Sequence, residues 1–169
     1  MFPTLRRLQA SPAYTHLIQG IKLDLKKAML AKNSAQKNTI RAVLAAIKDN
    51  EIAGGKQTEY DVYRVLNKMI KQRLESETTF RLQKRDDLAA VEAEEAASIR
   101  TFVERLPVAS DEEVEAKTLE WLKKLHAEDP KMSMAAVYKL VTPELADSWS
   151  TAPAMVRSRI GELYKKIWG

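Results

Sequence analysis

The tract 23–107 opens with Leu23-Asp24-Leu25-Lys26-Lys27-Ala28-Met29. It runs through Leu44-Ala45-Ala46-Ile47-Lys48, Lys71-Gln72-Arg73-Leu74-Glu75-Ser76 and Arg85-Asp86-Asp87-Leu88 to Leu106-Pro107. Apolar residues return along it every three or four positions, the period of an amphipathic helix and not the alternation of a strand. Ile40, Val43, Leu44 and Ile47 stripe one helix, and Gly54-Gly55 stops it, since paired glycines suit a left-handed helix end. Thr58-Glu59-Tyr60-Asp61 opens the next, with acids at the positive end of its dipole. Tyr63, Leu66, Ile70 and Leu74 stripe it, and it is expected to run to about residue 84, long enough to lie along a partner helix. Asp86 and Asp87 are expected to break it and to cap a further helix carrying Leu88, Val91, Ile99, Phe102 and Leu106, interrupted by Glu95 and closed by Pro107.

Upstream, Ser11-Pro12 is an N-cap followed by proline at the first helical position. Leu17, Ile21, Leu25, Ala28 and Met29 continue from it, although Gly20 weakens this helix and its firm part is expected after that residue. Ser34 is read as the cap of the helix that follows. Downstream, residues 107–110 form a boundary. Ser110-Asp111-Glu112-Glu113 has the spacing of a capping box, and Val114, Leu119, Leu122 and Leu125 follow. A turn at Glu128-Asp129-Pro130 precedes a short helix over about 133–140, a brief helical turn after Thr142-Pro143, and a last helix after Thr151-Ala152-Pro153. The expectation is an all-α protein: about four helices over residues 12–107, then a small three-helix-type bundle over 108–169. Only 5 glycines and 6 prolines argue against a turn-dense β architecture. No internal repeat is visible.

The net charge of +5 is unevenly spread: residues 1–56 carry +7, residues 57–130 carry −5, and residues 131–169 carry +3. The basic ends suit nucleic acid, anionic lipid or an acidic protein surface. Residues 1–23 contain no Asp or Glu, and Arg6 and Arg7 stand among Phe2, Leu5 and Leu8. That composition reads as a mitochondrial presequence over 1–11 and predicts a mitochondrial, matrix location. No apolar run approaches the roughly 20 residues of a membrane span.

Catalytic chemistry is not visible. His16 and His126, the two histidines, lie in different segments, and neither has a second ligand at the spacing of a zinc helix. There is no cysteine, nucleophile elbow, Walker loop or dinucleotide fingerprint, so neither metal nor cofactor is expected. Glu92, Glu94 and Glu95 read as a solvated charged face. Two basic sets are candidate RNA- or partner-binding surfaces. One is Lys68, Lys71, Arg73, Arg81, Lys84 and Arg85 with Tyr63 and Phe80; the alternative is a helix surface balanced by its own acids. The other is Arg157, Arg159, Lys165 and Lys166 with Trp149 and Trp168, where aromatics beside cations suit RNA or a protein groove and either tryptophan also suits a core.

Ser11-Pro12-Ala13-Tyr14-Thr15, Asp24-Leu25-Lys26-Lys27-Ala28-Met29, Lys84-Arg85-Asp86-Asp87-Leu88 and Leu106-Pro107-Val108, in that order and spacing, resemble the GatB/YqeY family over roughly residues 12–169. The resemblance implies an all-helical fold with an amino-terminal helical region and a carboxy-terminal bundle. It also implies kinship with the tail of the glutamine-dependent aminoacyl-tRNA amidotransferase, a tail that contacts tRNA. Kinase and amide-transfer chemistry in that enzyme belongs to a body that this chain lacks. The family's activity label, carbon–nitrogen ligase with glutamine as amido-N-donor, is thus inherited through a domain without catalytic residues. The implied partners are tRNA, an amidotransferase or another mitochondrial protein. Where bacterial relatives carry a Gly-rich turn before the last helix, this chain has residues 143–153, beginning and ending in proline.

Overall fold

The computed structural model describes residues 10–169, and among them every regular element is an α-helix. In chain order these are α1 (Pro12–Leu30), α2 (Ser34–Ile52), α3 (Glu59–Leu82), α4 (Asp86–Val103), α5 (Asp111–Glu128), α6 (Met134–Leu140), α7 (Pro143–Ser148) and α8 (Pro153–Trp168). The chain forms two compact units, one ending at Pro107 and the other beginning at Val108. The expected presequence face, Phe2, Leu5 and Leu8, lies outside the described residues.

In the first unit the helix pair α3 and α4 makes the most extensive contact, and α2 packs against both. Val62, Leu66 and Ile70 of α3 are buried, as are Ala89, Ala96, Ile99 and Phe102 of α4. Small alanines facing long apolar side chains let two helices approach closely. The expected stripe of α4 is therefore corrected at one place: Val91 is 49% exposed, and the inward positions belong to Ala89 and Ala96. Alanine carries too little hydrophobic weight to mark a face, which is why the larger valine misleads. Leu17, Ile21 and Ala28 bury α1, whereas Met29 turns outward, 52% exposed. That helix runs unbroken through Gly20 from its Ser11 cap, so burial on both sides overrides the glycine.

Caps need two further corrections. Asn33, not Ser34, caps α2, its side chain accepting from the Gln36 N–H at 3.0 Å. Arg85 occupies the cap position of α4 and offers no side-chain cap; Asp86 and Asp87 sit inside the first turn, where their charge complements the dipole.

The helix ends share one device. Lys32 (φ 54°), Gly54 (φ 93°), Lys84 (φ 57°) and Ser150 (φ 56°) each adopt the left-handed conformation just past α1, α2, α3 and α7. In each case the next N–H reaches back to a helix carbonyl: Asn33 to Ala28 (3.0 Å), Gly55 to Asn50 (2.8 Å), Arg85 to Phe80 (2.9 Å) and Thr151 to Ala146 (3.0 Å). This arrangement satisfies carbonyls that the helix leaves open. Glycine signals it at Gly54 alone. The lysines and the serine hold the same geometry at a steric cost of roughly 1–2 kcal/mol each. The expected end of α3 near residue 84 is thus a helix stopping at Leu82 with Lys84 as its left-handed stop. Likewise α4 ends at Val103, ahead of Pro107.

The second unit is built on α5 against α8, with α6 and α7 packed on α8. Its core holds Val114, Leu122, Val137, Val141, Ala146, Val156, Ile160 and Leu163. The capping box at α5 is present: the Glu113 N–H donates to Ser110 Oγ (3.2 Å) and the Ser110 N–H donates to the Glu113 carboxylate (2.9 Å). Thr118 and Thr151 are buried, the former donating to the Val114 carbonyl at 2.6 Å.

Relieving the left-handed strain at α3 gives a direct test. Lys84→Gly is expected to stabilise the protein by about 0.5–1 kcal/mol, while Gly54→Ala destabilises it by about 1 kcal/mol, both read from chemical denaturation.

Candidate partner-binding surfaces

The basic residues of α3 point in different directions. Arg73 stands three residues after Ile70 and seven after Leu66, so it continues the buried stripe. Its guanidinium lies between Glu92 (3.2 Å) and Glu95 (2.9 Å) of α4. Those two carboxylates are half-buried and face α3; only Glu94 of that acidic run is exposed, which corrects the reading of all three as a solvated face. Arg is suited to such a bridge because its planar fork can serve two carboxylates at once. Arg81 pairs with Glu77 at 2.8 Å and Arg85 with Asp87 at 3.2 Å, and Lys71 stands 3.8 Å from Glu75.

Lys68 lines an open groove of about 560 Å³ between α2 and α3 with Asp49, Asn50, Met69 and Gln72, and has no ion-pair partner among the described residues. Phe80 and Ser76 line a neighbouring concavity that also touches Gln72. Lys84 is exposed at the α3–α4 turn. Arg85 and Asp87 strengthen each other's ionised forms: the hydrogen bond to Asp87 raises the guanidinium pKa, and the same bond to Arg85 lowers that of the carboxyl.

In the second unit Arg157 donates to the Val141 carbonyl at the end of α6 (2.9 Å), and Arg159 pairs with Asp111 at the start of α5 (3.3 Å). Lys165 and Lys166 are exposed. Trp168 stacks on Tyr164 with ring centroids 4.4 Å apart and meets His126 edge-on at 4.8 Å. Trp149 meets Trp121 edge-on at 6.0 Å. Both tryptophans pack against the core of the second unit, and neither is a free stacking platform for a base.

A half-buried polar cluster fixes the amino end of α1. The Tyr14 hydroxyl donates to Glu51, which also accepts from Lys48 Nζ at 2.9 Å; the Ser11 hydroxyl donates to Glu59, and the Ser11 N–H to the Gln57 carbonyl at 2.8 Å. Burial raises the Tyr14 pKa above the ordinary phenol value, and the hydrogen bond and charge of Glu51 add to it. Burial opposes ionisation of Glu51, yet the bonds from Tyr14, Lys48 and Gln57 outweigh it and hold the carboxyl below its ordinary value. The pair is a fixed donor and a fixed acceptor at neutral pH, which suits anchoring. Among the described residues no group of three or more His, Cys, Asp or Glu comes together to hold a metal.

Sequence reasoning passed over one cluster. Lys32, Lys37 and Arg41 line a concavity of about 260 Å³ with Met29 at the α1–α2 turn. Its signal is the absence of any acid between Leu25 and Lys48.

Fold and surface together define a class, that of small all-helical proteins of two compact units whose charges lie on helix faces. The family model described as Yqey-like protein matches residues 18–160, and the chain belongs to that family. It is also similar over nearly its whole length to fungal proteins named altered inheritance of mitochondria protein 41, mitochondrial. The one from Clavispora lusitaniae is 49% identical over 168 residues, covering 99% of each chain. That from Meyerozyma guilliermondii is 38% identical over 98% of this chain and 87% of its own. That from Saccharomyces cerevisiae is 36% identical over 98% of this chain and 92% of its own. Their names support a mitochondrial location for this chain.

Two outcomes test these contacts. Arg73→Ala is expected to destabilise the protein by about 1–2 kcal/mol, because two half-buried carboxylates lose their shared partner. A double-mutant cycle with Glu92→Gln should then show coupling in chemical denaturation. For the anchor, the depressed pKa of Glu51 contributes stability that is complete above the ordinary glutamate value, about 4.3, and is lost as pH falls through the folded value. Glu51→Gln should flatten that acid limb of stability against pH. The raised pKa of Tyr14 acts in the opposite sense: its contribution is complete below about pH 10 and fades above it, a loss that Tyr14→Phe should remove.

Proposed function

We propose that this protein is a non-catalytic module of the mitochondrial matrix associated with tRNA or with the tRNA amidotransferase machinery. The observation that supports the reading is the match of the Yqey-like family model over residues 18–160. Each unit offers exposed cations outside ion pairs that support it: Lys68 in the α2–α3 groove of the first, and Lys165 and Lys166 on α8 of the second. Arg73, Arg81, Arg85, Arg157 and Arg159 take a lesser part, because each already holds a partner within its own unit. A carbon–nitrogen ligase role exercised within a complex stands as the alternative; glutamine-dependent amidation that proceeds normally without the protein would count against it.

A helical interaction factor that binds no RNA is the second reading. It is favoured by the same internal pairing, which commits Arg73, Arg81, Arg85 and Arg159, four of the arginines best suited to grip phosphates, to carboxylates of their own unit. One experiment separates the two. If three phosphates are neutralised, affinity for tRNA should fall about fortyfold between roughly 0.05 and 0.2 M salt. Lys68→Glu with Lys166→Glu should weaken binding at the lower salt. An affinity indifferent to salt and to both reversals removes RNA from the proposal, and a partner retained through nuclease and high salt then favours the interaction factor.

A further inference from the structure

We propose that the outward face of α1, together with the α1–α2 turn, is a contact surface for an anionic lipid bilayer. The face opposite the buried stripe of α1 carries Leu23 and Leu30, seven residues apart and therefore almost in line. Leu23 is 60% and Leu30 76% exposed, and Met29, a quarter-turn or more round the helix on the side of Lys22, is 52% exposed. Two large aliphatic side chains so exposed on the outward face, with Lys26 and Lys27 standing between them along the helix, form an unpartnered face of mixed apolar and cationic character.

Around this face the charge has one sign. Lys22 and Lys26 flank it on α1, and Lys32, Lys37 and Arg41 line the concavity that Met29 closes. None of these five forms an ion pair among the described residues. Asp24, the one acid in residues 10–48, is turned away from the leucines and held by Arg105 at 2.6 Å and Lys27 at 3.5 Å. The first turn of α2 carries no acid to offset its dipole, so the positive potential there is unrelieved.

Exposed leucines bordered on one side by unpaired cations match the layered chemistry of a bilayer surface. Leucine and methionine enter the boundary of the acyl chains, while lysine and arginine stay with the phosphates above it. RNA would use the cations but gain little from aliphatic side chains, since it rewards aromatic stacking. An acidic protein groove would meet the same charges, and its absence from the vesicle assay keeps the two apart. The surface shares no residue with the tRNA reading and stands independently of it.

The test is sedimentation of the full chain with phosphatidylcholine vesicles, plain or with about one lipid in three replaced by phosphatidylglycerol, at about 0.1 M salt. Partition onto the anionic vesicles should exceed that onto neutral ones at least roughly tenfold. Leu23→Ser with Leu30→Ser, both at exposed positions, should lower it about tenfold with helicity by circular dichroism unchanged, and Lys26→Glu with Arg41→Glu should lower it as much. Lys117→Glu, in the other unit, should leave it unaltered. Equal partition onto both kinds of vesicle overturns the proposal. So does binding that the charge reversals abolish and the serine pair leaves intact, because the face would then recognise polyanions without entering a membrane.

Discussion

The contact between α3 and α4 is the constraint on which the first unit depends. Leu66 and Ile70 of α3 and Ala89, Ala96, Ile99 and Phe102 of α4 are all buried in the unit where these two helices make the most extensive contact, and small alanines permit a close approach of helices. Each large side chain buried this way contributes on the order of 1.5–3 kcal/mol of hydrophobic stabilisation. Apolar packing of this kind tolerates sliding, however, because alanine and leucine offer several near-equivalent seatings. The fork of Arg73 onto Glu92 and Glu95 does not, since the guanidinium has to lie between two particular carboxylates. Packing brings the helices together, and the ion triad favours one register for them.

Much of the protein's positive charge is spent in the same structural way. Arg105 holds Asp24, Arg157 closes the end of α6, and Arg159 ties α8 to the start of α5. A cation count taken along the chain thus overstates what a partner would meet. Among the described residues, cations without an ion-pair partner gather near the α1–α2 turn, where acids are missing, and elsewhere stand dispersed over both units. A surface of that kind gathers weak contacts and gains specificity from shape, unlike a continuous basic track that follows a phosphate backbone.

The helices were legible in the sequence because their signals are local. The capping box at Ser110, the Ser11-Pro12 start and the Gly54-Gly55 stop each report on a few neighbouring residues, and each is present. What escaped depends on partners distant in the chain. Glu95 breaks an apolar stripe for no local reason; its reason is Arg73 on another helix. Lys84 carries no mark of a left-handed residue, since the conformation is imposed by the chain turning back to pair α4 with α3. Val91 outweighs Ala89 in any hydrophobicity pattern, yet only the smaller residue fits against α3. For the surfaces the difficulty is sharper. Sequence records which residues are cationic, and only three dimensions record which already have a counter-ion.

The anchor of α1 has a consequence for the order of events in the life of the chain. Ser11 and Tyr14 leave the ribosome ahead of their partners Glu51, Gln57 and Glu59, which follow some forty residues later. Until those partners arrive, the head of the first helix has neither its latch nor its cover. The head of α1 is therefore settled only when the turn after α2 is in place, a delay set by the distance along the chain between one serine and tyrosine and the acids that hold them.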